Sequence, residues 1–106
     1  MTRRLSAVLA LLLIALAGCQ DGTQATLTVG AEGFEPAIVR VPAGESFDLK
    51  VVNDTQAVQT VVVAGRPALR VSPKLTSTRQ LEAFEAGDHK VTLENAPFEA
   101  ILRAER

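Results

Sequence analysis

The chain is predicted to fold as an all-β sandwich preceded by an export signal. Three observations lead there. Apolar and polar residues alternate with a period of two, as in Phe47, Leu49 and Val51 against Ser46, Asp48 and Lys50. Turn-forming clusters recur at short intervals from Pro42 to Pro97. An N-terminal apolar run ends in Leu16-Ala17-Gly18-Cys19.

The N-terminal segment opens with Arg3 and Arg4 and continues in an almost unbroken apolar run from Leu5 to Ala17, interrupted by Ser6. A basic start, a short apolar stretch and small residues before a cut site form the layout of a secretory signal. The apolar stretch is about 13 residues, short of the roughly 20 that a helix needs to cross a bilayer. Leu16-Ala17-Gly18-Cys19 resembles the bacterial lipobox, in which the cysteine is acylated and becomes the first mature residue. The resemblance implies a signal peptide over 1–18, lipid attachment at Cys19, and a lipidated cysteine with its tether over 19–24. A plain secretory signal with a chance cysteine is the alternative. Cys19 is the chain's only cysteine, and a lone thiol in an oxidising compartment is otherwise a liability. Gln20, rather than Asp, follows it, which in enteric-type sorting favours the outer membrane.

Removal of residues 1–18 leaves about 88 residues, one small domain. Nine basic side chains then face twelve acidic ones, about −3. No basic block with interleaved aromatics remains, so nucleic acid is excluded as a partner. Without a second cysteine, a hydrophobic core alone must hold the fold. Tryptophan and tyrosine are absent and phenylalanine occurs four times, so that core is aliphatic.

Strand patterns begin at Ala25. They continue through Phe47–Val51, Val61 to Val63, Thr78–Glu82 and His89–Leu93, and the last covers Ala100 to Ala104. Pro42-Ala43-Gly44, Asn53-Asp54, Gly65-Arg66-Pro67, Ser72-Pro73, Ala86-Gly87-Asp88 and Asn95-Ala96-Pro97 separate them as turns. Gly44 permits the tight turn before Phe47, and the Asn53 side chain is suited to cap the loop that follows. No amphipathic helix is expected after Cys19.

The run from Phe34 to Asn53, with Phe34, Pro36, Pro42-Ala43-Gly44 and the alternating strand that ends in Asn53, resembles the opening half of small bacterial cupredoxins. Ala86-Gly87-Asp88-His89-Lys90-Val91 resembles their Pro-Gly-x-Tyr-x-Phe strand, and Phe98 to Ala104 their final strand. The resemblance implies a cupredoxin-like Greek-key β-sandwich of about seven to eight strands over 25–106. Electron-carrying members bind blue copper with two histidines, a cysteine and a weak axial methionine. Carried over position by position, the first histidine falls at Gln59 and the cysteine at or beside Leu93. The second histidine falls in Glu94-Asn95-Ala96-Pro97, which contains none, and the methionine at Phe98. The expectation is a copper-free site, with no metal.

His89, the only histidine, shares parity with Val91 and Leu93. It is expected to fill an aromatic slot on the inner face and to hydrogen-bond through one nitrogen. The competing reading joins it with Gln59, Asp88 or Glu94 in a non-standard site for copper or ferric iron. The acidic groups Glu32 with Glu35, Glu45 with Asp48, and Glu82, Glu85 and Asp88 read as solvated faces. No nucleophile, acid–base pair or phosphate loop stands in a suitable context, so no enzyme is expected.

Two functional expectations follow. The first is a non-enzymatic, membrane-anchored lipoprotein on the periplasmic or extracytoplasmic side. There it would serve as a protein-interaction accessory of iron or copper transport and contact a membrane transport protein. The alternative is a periplasmic metal-binding or electron-transfer cupredoxin with a site around His89 and carboxylates. Pro97 and Phe98 read as core rather than as an apolar docking spot.

Overall fold

A computed structural model describes residues 23–106, so the signal segment and Cys19 lie outside the described residues. Nine strands follow one another: β1 (Gln24–Gly30), β2 (Gly33–Glu35), β3 (Ile38–Pro42), β4 (Phe47–Asn53), β5 (Gln59–Val63), β6 (Arg66–Val71), β7 (Thr76–Leu81), β8 (Gly87–Leu93) and β9 (Ala96–Glu105). The described residues contain no helix. The all-β expectation holds. Nine strands form where the resemblance implies about seven to eight, because β2 is a three-residue ribbon too short to show a period.

The strands form a four-stranded sheet in the order β2-β1-β4-β7 and a five-stranded sheet in the order β3-β9-β8-β5-β6. Two pairings are parallel, β1 with β4 and β3 with β9. The others are antiparallel. The core lies between the sheets and is built by alternation. β4 buries Phe47, Leu49, Val51 and Asn53 and turns Asp48, Lys50 and Val52 outward. β1 adds Leu27 and Val29, β5 Val61 and Val63, β8 Val91 and Leu93, and β9 Ala100, Leu102 and Ala104. Complete burial of one such aliphatic side chain contributes roughly 1.5–3 kcal/mol, so the fold rests on many small contributions from valine and leucine. Phe47 is the one fully buried aromatic, and Phe84 tilts against it at 6.0 Å between ring centroids.

Two turns show why their residues are needed. Gly44 has φ 78° and opens the turn into β4, and its N–H donates to the Phe84 carbonyl at 2.9 Å. Ala64 and Gly65 have φ 52° and 81°. Two positive values in a two-residue hairpin loop match the right-handed twist of the flanking strands. β7 is the least amphipathic strand. Its Ser77 and Leu81 are half-buried and the remainder is exposed, as suits the margin of a sheet. β9 begins at Ala96 rather than near Ala100, because Ala96 pairs with Leu93 after a register shift that absorbs the Glu94–Asn95 turn.

The sandwich has two ends. At the Asn53 end lie the β4–β5 loop, the β6–β7 loop and the β8–β9 turn. At the Gln24 end lie the start of β1, the Gly44 and Gly65 turns and the segment 82–86.

Candidate functional site

The Asn53 end gathers the positions that the resemblance assigns to metal ligands. Asn53 is 1% exposed although polar, and its side chain organises the loops there. Its Nδ2 donates to the carbonyls of Ala57 at 2.8 Å, Val71 at 3.0 Å and Ser72 at 3.1 Å. Its Oδ1 accepts the Thr55 N–H at 3.0 Å and the Thr55 hydroxyl at 2.7 Å. The expected capping role of Asn53 is thus present and extends to a second loop, the one between β6 and β7. A buried amide this fully partnered fixes two loops without leaving an unsatisfied group.

Gln59 begins β5 beside this network, and its Nε2 donates to the Thr55 hydroxyl at 3.0 Å. Leu93 pairs across the sheet with Val61 and is 5% exposed. Glu94 N–H donates to the Thr60 carbonyl at 3.0 Å, which brings the Glu94–Asn95 turn beside Gln59. Phe98 packs against the core, and a Cβ placed on Gly33 would meet its ring at 3.5 Å. Phe98 is half-buried and packs on the core, as its sequence context suggests, whereas Pro97 is exposed. The side chains at these four positions are therefore an amide, an alkyl group, a carboxylate turn and an aryl ring. That donor set does not fit a blue-copper centre, which requires imidazole nitrogens and a thiolate sulfur.

His89 lies towards the other end. It stands four residues before Leu93 on β8, about 13 Å along an extended strand. Its ring stacks on Phe84 at 4.9 Å between centroids, tilted by 58°. Its Nε2 lies 2.8 Å from the Glu85 carbonyl. A carbonyl can only accept, so that nitrogen carries a proton and donates. The aromatic slot and the single-nitrogen hydrogen bond are as expected, but His89 is half-buried at the rim rather than enclosed.

The structure does not join His89 to Gln59 or Glu94, which belong to the Asn53 end. Asp88, its neighbour in sequence, points to the opposite face of β8. There it receives Arg103 from β9, Nε to Oδ1 at 2.8 Å and Nη2 to Oδ2 at 3.1 Å. The Arg103 guanidinium holds the Asp88 carboxyl below the usual carboxylate range, and Asp88 in turn raises Arg103. Among the described residues no three His, Cys, Asp or Glu side chains converge as a metal site.

One feature is not evident from the strand pattern. Where β6 and β7 bound the open side of the sandwich, a cleft of about 780 Å³ lies between them, lined in part by Val63, Arg66, Ala68, Arg79, Phe84 and His89. Arg79 pairs in register with buried Leu49 and so stands on the cleft side of β7, exposed, with its Nη1 donating to the Ala68 carbonyl at 2.8 Å. The signal lies in parity: Arg79 shares its face of β7 with Leu81.

The family model of the cupredoxin-like domain matches residues 4–100. No curated protein matches. Among solved structures, the dithionite-reduced auracyanin of the photosynthetic bacterium Roseiflexus castenholzii superposes with a TM-score of 0.65 at 11% identity, over 79% of this chain and 98% of its own. Auracyanin A, a blue copper protein of Chloroflexus aurantiacus, superposes with 0.65 at 12% identity, over 78% of this chain and 98% of its own. A purple cupredoxin from Nitrosopumilus maritimus gives 0.58 at 13% identity, over 76% and 99% respectively. At these identities the likeness is one of fold.

Proposed function

The chain belongs to the cupredoxin-like domain family, and from that premise we propose that it is a non-enzymatic, copper-free member of it. In this reading acyl chains on Cys19 hold it on the extracytoplasmic side of a bacterial membrane, with the outer membrane favoured by Gln20. There the domain acts by protein contact as an accessory to iron or copper transport. The observation that carries this reading is the occupied state of the Asn53 end. The Gln59 amide is committed to Thr55, Leu93 is core with Phe98 packed against it, and among the described residues neither imidazole nor thiolate stands beside them. A loop cluster built this way is suited to presenting a fixed surface.

The second reading, metal binding or electron transfer through His89 and carboxylates, is favoured by the blue copper and purple cupredoxin proteins among the structural neighbours. Titration of the full chain with Cu²⁺ and Fe³⁺, followed by calorimetry and absorbance, separates the two. The first reading expects no saturable one-to-one binding. Tight stoichiometric binding that His89→Ala abolishes would replace it with the second.

A further inference from the structure

From the distribution of charge we infer that the open edge formed by β6 and β7 lies against an anionic phospholipid surface, with Arg66, Arg70 and Arg79 towards headgroup phosphates and Leu75 at the interface. The inference builds on the proposed anchor at Cys19 and adds an orientation to it.

The sequence from 55 to 81 contains four basic residues, Arg66, Arg70, Lys74 and Arg79, and no acidic one. The rest of the described chain holds five basic and eleven acidic side chains. The fold concentrates this asymmetry, because β6 and β7 are the margins of their two sheets on the same side of the sandwich. Lys74 is compensated by Asp54 at 2.9 Å. Among the described residues Arg66 and Arg70 have no ion pair, and Arg79 has only its bond to a carbonyl. Glu82 and Glu85 line the cleft with Arg66 at the Gln24 end, whereas Arg70 and Leu75 lie further along the edge.

The loop that joins the two basic strands carries Leu75, at 58% the most exposed large hydrophobic side chain among the described residues. Basic residues around an exposed aliphatic one form the composition of an interfacial contact. Thr76, Thr78 and Gln80 line the same margin. The unpaired backbone groups of two strand edges stay hydrated in a headgroup layer, whereas they would be costly inside hydrocarbon. Position permits the contact as well. β1 starts at the Gln24 end, two strand spacings or about 10 Å from β7. Residues 20–23 span no more than about 14 Å even when fully extended, so an anchor at Cys19 leaves this edge within reach of the bilayer.

The chain lacks tryptophan and tyrosine, so Leu75→Trp supplies a lone indole. The full-length variant is reconstituted in phosphatidylcholine vesicles with and without phosphatidylglycerol, using brominated lipid as quencher. Blue-shifted, quenched emission is expected only with phosphatidylglycerol at low salt, and Ile38→Trp on the opposite edge should stay solvent-like in both. Arg66→Gln with Arg70→Gln keeps the Arg79 hydrogen bond and should weaken the contact roughly thirty-fold, since each basic residue near an anionic surface contributes about five-fold. Equal emission in both lipids, or quenching unchanged in the double variant, overturns the inference. Intact mass of the extracted protein tests acylation separately. If Cys19 proves unmodified, co-sedimentation of the soluble protein with phosphatidylglycerol vesicles still decides the edge.

Discussion

Asn53 accepts both the N–H and the hydroxyl of Thr55 through one oxygen, at 3.0 and 2.7 Å, and so closes the β4–β5 loop on itself. The nitrogen of the same amide holds the β6–β7 connection through Val71 and Ser72. Asn53→Ala is therefore expected to lower stability by about 2–3 kcal/mol, since buried carbonyls lose their donor. Asn53→Asp should cost more at neutral pH, because a carboxylate would confront those carbonyls. Urea unfolding of the three proteins checks the order.

The core prediction contrasts two leucines. Leu49→Ala, at a position 1% exposed, should cost about 2–5 kcal/mol. Leu75→Ala, at a position 58% exposed, should stay within about 0.5 kcal/mol of the parent. Thermal and urea unfolding measure both.

Gly44 meets no atom within 4 Å of where a Cβ would stand, yet its φ is 78°. Gly44→Ala should thus cost about 1–2 kcal/mol through the backbone alone. A parallel Gly30→Ala, at a glycine without positive φ, should cost less.

The Asp88–Arg103 pair makes a statement about pH. Asp88 titrates lower folded than unfolded, because Arg103 hydrogen-bonds and attracts its charged form. The contribution is present above the unfolded carboxyl value of about 3.9 and is lost as pH falls through the lower folded one. In Arg103→Gln the Asp88 carboxyl should return towards the ordinary carboxylate range. A carbon-detected NMR titration of the carboxyl group would register the rise.

Cys19→Ser should move the protein from the detergent phase to the aqueous phase and remove any acyl mass, provided the lipobox reading holds. Phase partition and intact mass report it directly.

Much of the fold was legible because its core strands alternate strictly. Phe47, Leu49 and Val51 point inward as their period demands, and Asn53 sits where a loop needs a cap. β2 and β7 were harder, for different physical reasons. A three-residue ribbon has no period, and β7 is a polar margin whose placement depends on its pairing with β4. Parity put His89 on the inner face but not at the rim, since rim or centre depends on where the strand begins relative to Phe84. The residues at the candidate site could be enumerated from the sequence. That Gln59 is bonded to Thr55, and that Arg79 crosses to Ala68, depends on contacts between strands distant in the chain.

β9 is the final strand, yet it occupies the second place in its sheet, between β3 and β8, and β3 has no other partner there. A nascent chain that has not yet supplied Ala96–Glu105 therefore cannot finish either the sheet or the interior it covers.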